Sequence, residues 1–316
     1  MSSAFTRFSG REIVAARPAR NRVDSEQPYA FLVEPERSAA GTVVDVATVF
    51  LTNRECPFRC LMCDLWKNTT EEPVPPGAIP RQIDYALERL PPAVQIKLYN
   101  SGNFFDAKAI PRSDFEAIAG RVRSFENVIV ENHPCLCSME CVRFRDRLGT
   151  ALEIALGLET VHPGVLPALN KQMTLDDFAR AVEFLTAHDV AVRAFILLRP
   201  PFLSDAEGVE WALRSVEFAF SLGVGCCSII PARAGNGIMD RLQHEGRFDP
   251  PTMDSMERVL EEGLRRGQGR VFMDLWDVER LFRCARCGPV RRERLRRMNL
   301  SQEILAPVAG ECACAV

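Results

Sequence analysis

The chain has 316 residues, of which 47% are hydrophobic and 26% are charged, and its formal net charge is −3. This composition excludes a disordered chain, and the small negative charge argues against a protein that its overall field draws to nucleic acid or anionic lipid. Residues 1 to 24 lack the apolar core of a secretory signal, and no eighteen apolar residues run uninterrupted. We therefore expect a cytoplasmic protein with no membrane contact.

The chain begins with residues 1–40, which we interpret as an N-terminal extension. Its run YAFLVEP, residues 29 to 35, predicts one edge strand. From residue 41 onward, apolar runs predict strands at 43–52, 94–100, 127–132, 151–159, 190–198, 224–232 and 269–276. Amphipathic segments between them predict helices at 79–90, 114–125, 174–188, 205–223 and 251–267.

Strand and helix repeat about six times, which indicates an α/β fold with parallel strands and crossover helices. Either an open doubly wound sheet or a full or partial TIM-like barrel fits this pattern. We place the core at residues 41–276 and treat residues 277–316 as a cysteine-containing C-terminal appendage.

The stretch TNRECPFRCLMCDLW, residues 52 to 66, carries Cys56, Cys60 and Cys63 in a loop after the first parallel strand. Chemistry gathers at this end of the strands in both architectures. Structural zinc normally takes four protein ligands from two separated loops, whereas a four-iron cluster on three cysteines keeps one iron open for a small molecule. The spacing therefore favours a [4Fe-4S] cluster with one open iron.

This C-x3-C-x2-C loop after a first strand resembles the radical S-adenosylmethionine superfamily. The resemblance implies a partial (βα)6 TIM-like barrel in which Cys56, Cys60 and Cys63 hold the cluster. It also implies that S-adenosylmethionine binds the open iron and is cleaved reductively, and that the 5′-deoxyadenosyl radical abstracts hydrogen from a substrate. An electron donor such as flavodoxin or ferredoxin would supply the electron.

The resemblance extends to the rest of the cofactor pocket by position. A short Gly-containing segment after the second strand usually meets the cofactor's amino group, and Asn100, Ser101 and Gly102 stand there. Glu159, at the end of a later strand, is expected to hold the ribose hydroxyls or the amino group. Arg199 or Arg233 is expected to pair with the cofactor's carboxylate.

Two later stretches, GLETVHPGVLPALNKQMTLDDFARAVEFL (157–185) and VRAFILLRPPFLSDAEGVEWALRSV (192–216), resemble the radical S-adenosylmethionine subunit of archaeosine synthase and its elongator-like relatives. PARAGNGIMDRLQHEGRFDPP (231–251) continues the similarity. The resemblance implies a tRNA nucleoside as substrate, whereas the net charge favours a small metabolite, so both alternatives stay open.

The remaining cysteines raise the question of a second metal site. The pairs Cys284/Cys287 and Cys312/Cys314 supply four thiolates, enough for either zinc or an auxiliary [4Fe-4S] cluster.

Cys135, Cys137 and Cys141 lie near the mouth of the third parallel strand, and we expect them to be unligated and buried by a helix that begins near Ser138. A different class of function also stays open. In it, the first three cysteines and another thiol hold zinc or an electron-transfer cluster in a non-catalytic protein.

Overall fold

A computed structural model describes residues 5–308 of the chain. Its centre is one eight-stranded sheet in which the strands follow one another in chain order. β1 pairs with β2 in the antiparallel sense, and every later neighbouring pair is parallel. The strands are β1 Ala30–Arg37, β2 Val43–Phe50, β3 Gln95–Tyr99, β4 Asn127–Asn132, β5 Ala151–Glu159, β6 Ala191–Leu198, β7 Cys226–Pro231 and β8 Arg270–Met273.

Helices connect the parallel strands, so that β2 to β7 each begin a strand–helix unit and β8 ends the sheet. In the described part of the chain the helices are α1 Gly10–Ala15, α2 Ala78–Leu87, α3 Phe115–Val122, α4 Met139–Leu148, α5 Val165–Ala168, α6 Leu175–Thr186, α7 Asp205–Ser221, α8 Ile238–His244, α9 Met253–Arg265 and α10 Gly288–Ser301. The predicted partial (βα)6 barrel is confirmed, with β8 as a further parallel strand and β1 as the expected edge strand.

Ion pairs across the inside of the sheet show how strongly it curls. Arg193 on β6 reaches Glu36 on β1, with 2.7 Å between Nη2 and Oε1, and its Nε lies 2.6 Å from Oε1 of Glu153 on β5. Lys97 on β3 pairs with Glu36 at 2.5 Å, and Arg270 on β8 pairs with Glu153 at 3.1 Å. We call these five residues the floor network, because they fill the lumen at the N-terminal end of the parallel strands.

The mouth of the barrel, at the other end, is covered in part by the N-terminal segment 5–24. Phe8 and Ile13 are buried in a second apolar cluster that also holds Leu61 of the cysteine loop and Leu169. Gly237, with a φ of 91°, lies so close to the carbonyl of Ala16 that a Cβ there would overlap with it. The N-terminal extension therefore contacts the core beyond its edge strand.

At the other end of the chain, α10 packs against the barrel. Leu295 and Met298 are fully buried in the main apolar cluster, and Gln302 exchanges hydrogen bonds with the backbone of Val271 in β8, at 2.8 and 2.9 Å. The boundaries at residues 40 and 276 stay predictions. No helix between residues 5 and 308 combines the length and the apolar character that crossing a membrane requires.

Candidate functional site

The cysteine loop leaves β2 at the mouth and is held from several sides. The backbone N–H of Leu61 donates to the Leu169 carbonyl at 2.8 Å. The amide of Asn236 donates to the carbonyls of Leu61 and Cys63, at 2.8 and 3.1 Å, and the amide of Asn170 donates to the Arg59 carbonyl at 2.7 Å. Side chains from distant parts of the sequence thus fix the loop that carries the three cysteines.

The three candidate ligands are half-buried free thiols. Burial is the largest influence on each, and it raises the pKa of all three above the ordinary value, to about 11 for Cys60. For Cys63, the neighbouring Cys60 raises the pKa further. A metal reverses this effect, because coordination to a cation stabilises the thiolate.

The segment after β3 meets the first of these cysteines. The side-chain amide of Asn103 donates a hydrogen bond to Sγ of Cys56 at 3.1 Å. A Cβ on Gly102 would lie 3.3 Å from Cβ of Cys56, so a side chain at position 102 would crowd this cysteine. The predicted Gly-containing segment therefore lies against the cysteine loop.

Residues 100 to 102 of this segment are organised around a carboxylate that the sequence analysis did not assign. Glu131, at the end of β4, accepts the N–H of Asn100 at 2.7 Å and that of Gly102 at 3.2 Å. Burial raises its pKa to about 7, although the two hydrogen bonds oppose the shift. Oδ1 of Asn100 is buried and has no hydrogen-bond partner among the described residues, and Oγ of Ser101 lies 2.8 Å from the Tyr29 hydroxyl.

Glu159 forms a buried ion pair with Lys171, with 2.7 Å between Oε1 and Nζ. Burial alone would lower the pKa of Lys171, but the charges of Glu159 and Cys60 outweigh it and raise the pKa. The pair therefore brings a cation close to the cysteine loop. Lys171 is not among the predicted site residues. It precedes the start of a helix, and its sequence position is interpreted most simply as part of a helix cap.

The two predicted arginines point elsewhere. Arg199 donates to the Pro250 carbonyl at 2.8 Å and lies 3.3 Å from Asp249. Arg233 pairs with Asp274 at 3.1 Å. Their assignment to the cofactor's carboxylate remains a prediction.

Three of the predicted residues share an unusual backbone. Ser101, Glu159 and Arg199 have φ values of 53°, 65° and 55°, in the left-handed region. Non-glycine residues rarely adopt this conformation, and they do so most often where a site requires a particular direction of the side chain.

The C-terminal pairs are only partly described. Cys284 and Cys287 are half-buried beside the start of α10, whereas Cys312 and Cys314 lie outside the described residues. The site that would combine all four stays a prediction. Within residues 5–308, no three His, Cys, Asp or Glu side chains are grouped closely enough to hold a single metal ion.

The HPCLCSMEC segment differs in part from the prediction. Helix α4 begins at Met139 with Ser138 as its N-cap, as expected. Of the three cysteines, however, only Cys141 is buried, while Cys135 is exposed. Cys135 precedes the helix in the short 3-10 turn at 134–136, so the helix cannot cover its thiol.

Comparison with known proteins bears on the family. No family model matches the chain. Archaeosine synthase subunit beta of Methanosarcina acetivorans is 25% identical over 215 residues, and that of Thermococcus kodakarensis is 27% identical over 217 residues, each match covering 64% of this chain. The chain is similar to these archaeosine synthase subunits. The resemblance predicted from residues 157–251 is thereby confirmed, although the chain spans only 61% and 65% of the two relatives.

A further sequence match covers nearly the whole chain, and a solved structure agrees with the fold. An uncharacterized protein of Methanocaldococcus jannaschii is 24% identical over 314 residues, which cover 92% of this chain and 86% of that protein. The structure of archaeal Elp3 from Methanocaldococcus infernus superposes with a TM-score of 0.51 at 15% identity. It covers 69% of this chain and 59% of the Elp3 chain. At this identity the structural likeness describes the barrel alone.

Proposed function

We propose that the chain is a radical S-adenosylmethionine enzyme whose catalytic [4Fe-4S] cluster is held by Cys56, Cys60 and Cys63. The observation that carries the proposal is the contact of the cysteine loop, at Cys56, with the Asn103 amide and the close backbone of Gly102. The loop carries three free thiols. These donors fit the group, because iron–sulfur clusters take thiolate ligands and hydrogen bonds to their sulfurs. When bound and reduced, such a cluster supplies the electron that cleaves S-adenosylmethionine to a hydrogen-abstracting radical.

The chain's own residues would bind and orient the cofactor. In this proposal, Asn100, Ser101 and Gly102 face its amino group, and Glu131 fixes their backbone by accepting two N–H groups. The unpartnered Oδ1 of Asn100 is an acceptor suited to an ammonium group.

On the opposite side, Glu159 remains the candidate for the ribose. Lys171 is the cation whose charge acts on Cys60, which makes it a stronger candidate for the cofactor's carboxylate than Arg199 or Arg233. The buried pair keeps Lys171 charged and fixed in place.

The test measures 5′-deoxyadenosine. The protein is reconstituted anaerobically with iron and sulfide and is then mixed with dithionite and S-adenosylmethionine. We expect 5′-deoxyadenosine from the wild type and none from Cys60→Ala, because two thiolates hold the cluster poorly. Cys135→Ala removes an exposed thiol outside the loop and serves as the matched control that keeps the activity. Undiminished product from Cys60→Ala would reject the three-cysteine cluster as the source of the activity. No product from the reconstituted wild type would leave the non-catalytic metalloprotein as the better description.

The same preparation addresses the second metal. About eight irons per chain would support an auxiliary [4Fe-4S] cluster on Cys284, Cys287, Cys312 and Cys314. About four irons and one zinc would make these cysteines a structural zinc site.

The substrate is proposed as either a small metabolite or a tRNA nucleoside, with flavodoxin or ferredoxin as donor. Retention on immobilised tRNA distinguishes the two substrates, because phosphate contacts weaken steeply as salt rises. Retention that is lost between low and moderate salt would favour tRNA, and no retention at low salt would favour the metabolite.

A further inference from the structure

Aromatic side chains line the lumen above the floor network. Phe50, Tyr99 and Phe195 point into it, yet all three remain partly exposed, whereas Lys97 and Arg193 one layer below are only 6% and 2% exposed. Side chains of a TIM-type barrel normally fill its interior in packed layers. Partly exposed rings on the inner face therefore mark a chamber that opens toward the mouth.

The wall of this chamber is aromatic. The ring of Tyr99 on β3 lies 6.2 Å from that of Phe195 on β6, a contact that crosses the lumen. Phe50 on β2 lies 6.2 Å from Tyr99 and 6.0 Å from Trp276, which follows β8. Trp276 is 56% exposed at the rim. We call these four residues the aromatic chamber.

Two polar groups border the chamber, one without a hydrogen-bond partner among the described residues and one held in place by its neighbours. Thr48 lies on the same face of β2 as Phe50 and is 2% exposed, yet its hydroxyl has no hydrogen-bond partner among the described residues. At the rim, the carboxylate of Asp274 is held by Arg233 at 3.1 Å and by the N–H of Trp276 at 3.0 Å. An unpartnered hydroxyl below and a fixed carboxylate above are suited to the polar edges of a bound molecule.

The chamber adjoins the candidate cofactor site. Tyr29, whose hydroxyl lies 2.8 Å from Oγ of Ser101, packs against Phe50 in a tilted pair with 5.5 Å between ring centroids. A molecule in the chamber would therefore lie beside the segment assigned to the cofactor, where hydrogen abstraction requires it.

We propose that the aromatic chamber binds the substrate through an uncharged, flat aromatic or heteroaromatic ring. Such a ring stacks on or packs edge-to-face against the walls, whereas a puckered aliphatic ring loses the aromatic part of that contact. The floor network holds three cations against two carboxylates, which disfavours a cationic ring above it. The identification of this ring with the substrate rests on the proposed function.

The test measures binding of quinazolin-4-one, indole and cyclohexanol by calorimetry. It uses the full chain after iron and sulfide reconstitution, with neither reductant nor S-adenosylmethionine present. We expect at least one flat compound to bind and cyclohexanol to bind at least threefold more weakly. Tyr99→Leu and Trp276→Ala should each weaken the flat compound roughly threefold to tenfold. Because Trp276 is exposed at the rim, its replacement keeps the test valid if Tyr99→Leu fails to fold.

Phe31→Leu is the matched control, since Phe31 contacts Tyr85 at 6.0 Å in an edge-to-face pair away from the chamber rings; its binding should equal that of the wild type. The inference is overturned if neither flat compound binds, if cyclohexanol binds as tightly, or if Trp276→Ala binds like the wild type. The proposed function fails separately, since absence of 5′-deoxyadenosine would leave ring binding unaffected.

Discussion

Among single residues, Asn103 acts directly on a candidate ligand, because its amide donates to Sγ of Cys56. We predict that Asn103→Ala retains iron about tenfold to hundredfold less tightly, as is typical when a partner of a metal ligand is removed. Anaerobic transfer of iron to a chelator, followed by absorbance, measures this.

The matched control is Asn132→Ala, which removes the same kind of donor from Cys137, at 3.6 Å, outside the cysteine loop. Equal iron retention by the Asn103 variant and the wild type would show that the hydrogen bond does not support the site.

The spacing of the cysteines was readable at this scale, but the partners of the loop were not. Glu131 reaches the backbone of residues 100 to 102 only because β3 and β4 pair in a particular register. In the sequence, the signal for this role was that Glu131 is the one acidic residue in the strand NVIVEN. The sequence does not indicate the left-handed backbone of Ser101, Glu159 and Arg199. Non-glycine residues adopt this conformation only where tertiary contacts impose it.

At the scale of elements, the N-terminal segment supports the cysteine loop through charge. Arg17 pairs with Glu55 at 2.7 Å, Arg20 forms a close pair with the same carboxylate, and Arg59 lies 3.0 Å from it. Burial would raise the pKa of Glu55, but its hydrogen bonds to Arg17 and Arg20 outweigh this and lower it. Since Glu55 precedes Cys56, these pairs hold the segment next to the first candidate ligand.

We predict that Arg17→Ala combined with Arg20→Ala lowers the free energy of unfolding by about 1–3 kcal/mol, because Glu55 keeps only Arg59. Iron should also leave the reconstituted protein faster. Urea denaturation and chelator transfer measure the two effects. Arg81→Ala, which breaks an exposed pair with Glu26, should lower the free energy of unfolding much less, because water screens exposed pairs. Equal losses in the two variants would contradict a special role for the segment.

The strands and crossover helices were predictable because each carries its own apolar period. The predicted helix at 174–188 is observed at Leu175–Thr186, and the strand at 151–159 has the predicted bounds. The contact of α1 with the mouth was missed. A local signal existed, since Ser9 and Glu12 form a capping box, but the surface that a six-residue helix covers is decided by packing far away in the sequence.

Across the whole molecule, the floor network joins β1, β3, β5, β6 and β8. We predict that Arg193→Met lowers the free energy of unfolding by about 3–5 kcal/mol, because the buried carboxylates of Glu36 and Glu153 each lose one of their two cationic partners. Urea denaturation measures this loss, and Arg121→Met is the control, since its pair with Asp84 is partly exposed. A loss no larger than the control's would mean that water reaches the network.

The same network sets the response to acid. Burial would raise the pKa of Glu36, but the charges of Arg193 and Lys97 outweigh it and hold the pKa far below the ordinary value of 4.5. The folded state therefore binds fewer protons than the unfolded state, and stability falls as pH drops below about 4.5. Arg193→Met should lessen this slope. From the strand pattern alone, the curl was one of two alternatives, because strand patterns do not encode which charges meet across a lumen. The resemblance to a known family was what favoured the partial barrel.

The floor network also fills the lower end of the lumen with paired charges. Under the proposed ring binding, a molecule that enters the aromatic chamber from the mouth would meet these charges below and would leave toward the mouth. Substrate and product would then use the same route through the mouth, so a bound product would delay binding of the next substrate. In the proposed enzyme, turnover would then be limited by how fast the product leaves the chamber.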